Sequence, residues 1–277
     1  MKEILINETT VMAPETPGEL DSWRYEVLLG LKYYRDYGHG SPAPKMPERI
    51  ERMSDRERMQ ACVAVVLCGH MPRHINLLTG KALDDVMERA YPIAAGFIDA
   101  KGEISLGCAD NKIPHWWGRN GRYNGPGPML DGMRYGDVVK ALQILTTGSL
   151  TMEGLIEVAR IAYGLKGDDL LPATYGVATL AAHCAEMILH TWRMISEAPV
   201  WINGEDIDLR ILFRSDDSSA KDDGLGWNGI TFEVARSGVF GTTREVENAD
   251  FWEVLLYLYK CRWEYNESRQ RHKTDKL

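Results

Sequence analysis

No stretch of this chain approaches the about 18 consecutive uncharged apolar residues that a bilayer-spanning helix needs, so no membrane association is expected. The opening residues place Lys2 and Glu3 before a three-residue apolar run, Ile4 to Ile6, far short of a secretory core. Cysteine is scarce: five occur in 277 residues, at Cys62, Cys68, Cys108, Cys184 and Cys261. An odd number without framework spacing points to a reducing, cytoplasmic compartment. Basic residues are outnumbered, 32 Lys and Arg against 40 Asp and Glu, for a formal net charge of -8. That balance argues against generic binding to a nucleic-acid backbone, although it leaves room for a local basic site.

Catalytic signatures are missing as well. Gly118, Gly121, Gly125 and Gly127 do not follow a phosphate-loop order, and no Gly-Lys-Ser/Thr closes the run. Ser149, Ser196 and Ser237 lack a nucleophile-elbow context. The adjacent pairs Asp84–Asp85, Asp168–Asp169, Asp216–Asp217 and Asp222–Asp223 cannot share a helix face and read as caps and solvated loops. No repeat of solenoid period is present.

What the chain does contain is helical periodicity. Its hydrophobic fraction of 44% and charged fraction of 26% are those of a globular protein with a sizeable core. Ile4 to Val11 reads as a strand or short hairpin. Thr16-Pro17-Gly18-Glu19 has capping-box spacing and predicts a helix with Trp23, Val27, Leu28, Leu31 and Tyr34 on one face. Ser54 to Glu57 is a second box, opening a helix with Met59, Cys62, Val63, Val66 and Leu67 inward. A helix is predicted over Lys81–Ala90, and a hairpin over Phe97–Leu106 with its turn at Gly102. Three further helices carry Tyr135 to Leu145, Leu155 to Ala162 and Val177 to Thr191 on their inner faces. Asn203-Gly204 is the strongest hairpin-turn signal, and Thr242 to Glu245 has capping spacing before the last helix. The predicted fold is mainly α, a helical core with a few short β-hairpins, with α+β as the alternative. Residues 1–277 read as a single composite helical domain, with a subdivision into 1–148 and 149–277 left open near Gly148.

Three regions are candidate sites. The closing helix is apolar nearly all round, so it requires cover from the core or from a partner. Trp252, Leu256, Tyr259 and Trp263 fall at i, i+4, i+7 and i+11, a seam suited to a partner helix. The irregular stretch Gly107–Gly132 carries His115, Trp116, Trp117, Arg119 and Tyr123. This is either an aromatic binding loop with a cation or a loop pinned to the body by its tryptophans. Cys68, His70 and His74 offer a thiolate and two imidazoles for zinc, but Pro72 interrupts the helical spacing, no second ligand pair stands at usual spacing, and His183-Cys184 with His190 could complete a site only if the fold brought the two regions together.

Four pieces together resemble a known family: Leu20-Asp21-Ser22-Trp23 after an N-terminal strand; Leu130-Asp131-Gly132-Met133-Arg134-Tyr135-Gly136-Asp137-Val138; the helix Leu155 to Tyr163; and Gly226-Trp227, Val239-Phe240-Gly241 and Phe251 to Glu264 at the end. The chain resembles tail-assembly proteins of Bacteroidales phages and prophages, which are similar to tail assembly chaperones. Gly132 stands where that family's pattern has asparagine, and the Trp-rich segment from Cys108 to Gly127 has no counterpart in it. The resemblance implies a non-enzymatic scaffold in the host cytoplasm, without cofactor, that binds tail-tube or tape-measure subunits. Homo-oligomerisation stays open. The alternatives are a small-ligand or metal-binding enzyme built on loop 107–132, and a structural component of the virion.

Overall fold

A computed structural model of the chain describes residues 1–34, 46–78, 80–107, 110–118, 120–147, 151–166, 175–202, 204–213 and 225–274. The protein is mainly α, with three two-stranded antiparallel sheets among the described residues. In chain order the elements are β1 (Lys2–Ile6), β2 (Thr9–Ala13), α1 (Ser22–Tyr34), α2 (Glu48–Glu51), α3 (Asp55–Leu67), α4 (Lys81–Asp85), α5 (Tyr91–Ala94), β3 (His115–Gly118) and β4 (Gly121–Asn124). Then follow α6 (Tyr135–Thr146), α7 (Met152–Tyr163), α8 (Tyr175–Glu197), β5 (Val200–Ile202), β6 (Glu205–Ile207), α9 (Trp227–Arg236), α10 (Thr243–Asn248) and α11 (Phe251–Thr274). These elements group into two compact units. Met1–Cys108 with Ala173–Glu186 forms the first, and Ala109–Pro172 with Met187–Leu277 the second. No helix among the described residues is long and apolar enough to cross a membrane.

In the first unit, β1 and β2 form the expected hairpin, with Ile4, Ile6 and Ala13 inward at the period of two that a half-buried strand requires. Its turn residues Asn7 and Glu8 both take positive φ, 46° and 68°, and the Asn7 N–H donates to Asp85 across 2.8 Å. Asp85 is therefore buried and tied to the hairpin rather than solvated, as its place in an adjacent acid pair suggested. The box expected at Thr16 does not form. Pro17–Glu19 makes an isolated 3-10 turn, Thr16 caps nothing, and Glu19 accepts instead from the N–H of Glu15. Helix α1 starts at Ser22, with the carboxylate of Asp21 accepting from the Arg24 N–H at 2.8 Å. Val27, Leu28 and Leu31 are buried as their spacing predicts, and Tyr25 and Leu29 join them, whereas Trp23 lies 41% exposed.

The Ser54 box forms as expected: Glu57 accepts from the Ser54 N–H at 2.8 Å, and the Glu57 N–H donates back to the Ser54 hydroxyl. The eight residues from Ala61 to Cys68 are all buried, so α3 is the central helix of this unit and not a one-sided one. The predicted helix over Lys81–Ala90 runs on to Ala94 but widens into a π turn at Val86–Ala90. Pro92 lacks an N–H for the Glu88 carbonyl and its ring crowds that carbonyl; the wider turn ahead of it relieves both. The hairpin around Gly102 (φ +83°) closes through the bridge Ile98↔Ile104.

The second unit is organised by the starts of two helices. The Tyr135 N–H donates to the Ala249 carbonyl and the Phe251 N–H to the Met133 carbonyl, so that Arg134 and Asp250 pair backbone to backbone as an isolated antiparallel β-bridge. Helices α6 and α11 thus leave one short antiparallel contact. The inner faces of α6 and α7 carry Val138, Leu142, Leu155 and Val158, as their periodicity predicts, and α7 ends at Gly164 in the left-handed region. Trp192 of α8 sits edge-to-face between Phe213 and Trp227. The hairpin β5–β6 stands where Asn203-Gly204 predicts it, although Asn203 itself is outside the described residues. At the start of α10, Glu245 accepts from both the N–H and the hydroxyl of Thr242. Cys261 on α11 is exposed, although the sequence of that helix reads as apolar nearly all round.

Candidate functional site

Helix α11 is capped by Asp250, whose Oδ1 accepts from the N–H groups of Trp252 and Glu253. Phe251, Val254 and Leu255 form a fully buried stripe facing the second unit's core. At 3.6 residues per turn the seam Trp252, Leu256, Tyr259 and Trp263 lies about 120° round the helix from that stripe. Its members differ in their surroundings. The Trp252 indole N–H donates to the Met129 carbonyl at 2.9 Å, so this ring belongs to its own unit. Leu256 and Tyr259 are half-buried, and Trp263 is 47% exposed. Tyr265, which continues the core stripe itself, is 53% exposed. The apolar surface of α11 therefore outruns the body that covers its first turns.

The Trp-rich segment is not irregular. His115–Gly118 and Gly121–Asn124 pair antiparallel, with Trp116 opposite Tyr123 and Trp117 opposite Arg122. Alternation places Trp116 and Tyr123 on the half-buried face, and His115, Trp117 and Arg122 on the open one. Trp117 is 74% exposed, and Arg122 contacts the His115 imidazole. Arg119 lies outside the described residues. The two tryptophans do not pin this segment equally: Trp116 faces inward and Trp117 does not. The firmer anchor is at the base, where the Tyr163 hydroxyl donates to Ile113 and the Asn111 amide donates to Pro126 at 2.8 Å. Gly125 passes so close that a Cβ there would lie 2.6 Å from the Tyr163 ring.

Cys68 is the C-cap of α3 and is buried; burial pushes its thiol up to about 12. His70 and His74 are half-buried beyond the helix end, and the Arg73 guanidinium lies 3.4 Å from His74 Nε2. Among the described residues no three His, Cys, Asp or Glu side chains gather into a metal-binding group.

Sequence reasoning missed a polar interior in the first unit. His183, fully buried on α8, hydrogen-bonds through Nδ1 to the Tyr25 hydroxyl at 2.8 Å. One turn on, the buried Glu186 carboxylate accepts from the Lys32 ammonium at 2.6 Å and the Tyr33 hydroxyl at 2.9 Å. Beside Lys32 opens a cavity of about 510 Å³, walled by the end of α1, the first turns of α3 and the Lys101–Ile104 turn. The partners in these pairs are more than 150 residues apart in sequence, so no local spacing announces them. No protein-family model, no curated protein and no solved structure matches the chain.

Proposed function

We propose that this protein is a non-enzymatic assembly factor that presents the outer face of α11 to another protein, and that its partner is a tail-tube or tape-measure subunit of a phage or prophage in the bacterial cytoplasm. The observation that carries the binding role is the uncovered continuation of α11: Trp263 and Tyr265 are about half exposed on a helix whose neighbouring stripe is core. Large aromatic rings on a rigid helix supply contact area at low entropic cost and concentrate at binding hot spots. The choice of partner rests on the resemblance of the Leu130 to Val138 step, the Leu155 to Tyr163 helix and the C-terminal pattern to phage tail-assembly proteins.

Co-expression with the tail-tube and tape-measure subunits of the same phage tests this. The subunit is expected to stay soluble beside the wild-type chain and to precipitate beside Trp263→Ala. Solubility that never depends on this protein overturns the reading. Mass spectrometry of purified particles separates an assembly factor, which leaves, from a virion component, which stays.

A further inference from the structure

The open face of the β3–β4 ribbon is not used by the binding role of α11. Strand pairing sets Trp117 directly across from Arg122. The Trp117 indole is 74% exposed and touches no other ring and no hydrogen-bond partner among the described residues. Arg122 is exposed as well. Its guanidinium contacts the His115 imidazole and, among the described residues, no carboxylate. Alternation adds Asn124 to the same face, opposite His115. A flat aromatic surface and a cation therefore stand together, with two further polar groups and no acid beside them.

The bias extends along the sequence. The twenty residues from Asn111 to Leu130 include three basic ones and no Asp or Glu, on a chain of net charge -8. The chain as a whole repels a polyanion; this segment does not. The ribbon is also held in place. The Gly125 N–H donates to the Pro114 carbonyl at 3.0 Å, next to the His115–Asn124 pair, and the Tyr163 hydroxyl and the Asn111 amide fasten the base. A ligand meets side chains whose backbone is already ordered.

We propose that this face binds single-stranded nucleic acid, with a base stacked on Trp117 and the neighbouring phosphate at Arg122. An unpaired base offers its π-face to the indole, and that contact tolerates any sequence. A guanidinium suits a phosphate. The face is open and not concave, so a lone small molecule would leave most of its surface in water, whereas a strand passes across it. Bases enclosed in a duplex cannot reach the indole. An acidic peptide would engage Arg122 and leave Trp117 without a π partner.

Fluorescence anisotropy of a labelled oligothymidylate of about 15 nucleotides, titrated with the full chain at low salt, provides the test. Binding is expected to saturate and to weaken as salt rises. Unlabelled single strand should compete, and a DNA duplex of equal length or polyglutamate should not. Trp117→Ala should lower affinity by about fivefold or more, the value of one stacked base, and Trp117→Phe should keep most of it. Arg122→Glu should weaken binding and flatten its salt dependence. Arg236→Glu reverses a side chain 81% exposed on α9 and should weaken it less. These are surface changes, so the thermal melts should match wild type. No binding at low salt, equal competition by duplex or polyglutamate, unchanged affinity in Trp117→Ala, or an equal loss in Arg236→Glu overturns the proposal. So does loss of binding in Trp263→Ala, which would place the strand on α11.

Discussion

The Tyr25 hydroxyl and Nδ1 of His183 share a 2.8 Å hydrogen bond in the interior of the first unit, their rings edge to face with centroids 5.5 Å apart. Burial pushes the His183 imidazolium down from 6.5 to about 4, so the folded protein holds this ring neutral. The unfolded chain takes up a proton near pH 6.5 and the folded one near pH 4. Stability is therefore intact above pH 6.5 and falls as the pH drops between those values, by about 3 kcal/mol in total. Urea denaturation of wild type at pH 7 and pH 4.5 should show this loss, and His183→Gln should lose that part of the slope. Equal slopes in the two proteins would place the linkage elsewhere.

Lys32 and Glu186 predict an asymmetric mutant series. The Glu186 side chain is 1% exposed and Lys32 16%. Lys32→Met leaves a buried carboxylate without its cation and is expected to cost about 3 kcal/mol or more. Glu186→Gln keeps a polar partner for Tyr33 and costs less. The double change Lys32→Met/Glu186→Met should recover most of the single loss, since an apolar pair of similar volume replaces a buried ion pair with little penalty. A double-mutant cycle by chemical denaturation reads this directly; additive losses would show that the two groups are not coupled.

Much of the fold was legible because its signals are local. The Ser54–Glu57 box and the Asn203-Gly204 turn each act within a few residues, and each marks a real boundary. Where two local signals compete, spacing alone does not choose between them. Pro17 and Gly18 settle into a 3-10 turn, and Asp21, four residues on, caps α1 in place of Thr16. The β3–β4 hairpin had a cue in Asn120-Gly121, lost among the surrounding glycines and prolines. The seam on α11 was visible as a pattern, but its division into an anchored Trp252 and an open Trp263 depends on Met129, 123 residues away. The Tyr25–His183 and Lys32–Glu186 pairs join helices whose individual periodicity is satisfied without them.

Gly136 predicts a substitution with an unexpected sign. In an isolated helix Gly→Ala is favourable by about 1 kcal/mol. Here α6 and α10 meet at this residue: a Cβ on Gly136 would lie 2.9 Å from Glu247 Cβ and 3.0 Å from the Glu247 carbonyl oxygen. Backbone cannot give way as a flexible side chain can, so Gly136→Ala should destabilise by about 1–3 kcal/mol through overpacking. The thermal midpoint reports the sign. An upward shift would mean that α10 moves aside without cost.

Trp252 and Trp263 lie on one seam, yet their alanine variants should behave differently. Trp252 fixes the start of α11 to the chain at Met129, where φ is +54° and the backbone is held outside its usual region. Removing the indole takes away packing area and the donor for that carbonyl, and Trp252→Ala is expected to cost about 2–3 kcal/mol. Trp263 is 47% exposed, so Trp263→Ala should change stability by less than about 0.5 kcal/mol. If α11 docks a partner, the same change should weaken binding by about 2 kcal/mol, or roughly thirtyfold, as for a central aromatic anchor. Thermal melts of both variants, with partner binding measured by titration calorimetry, separate the two roles. A Trp263→Ala protein that melts as early as Trp252→Ala would show that the outer half of α11 is part of the core; one that melts like wild type and binds its partner unchanged would show that the exposed seam is not the docking face.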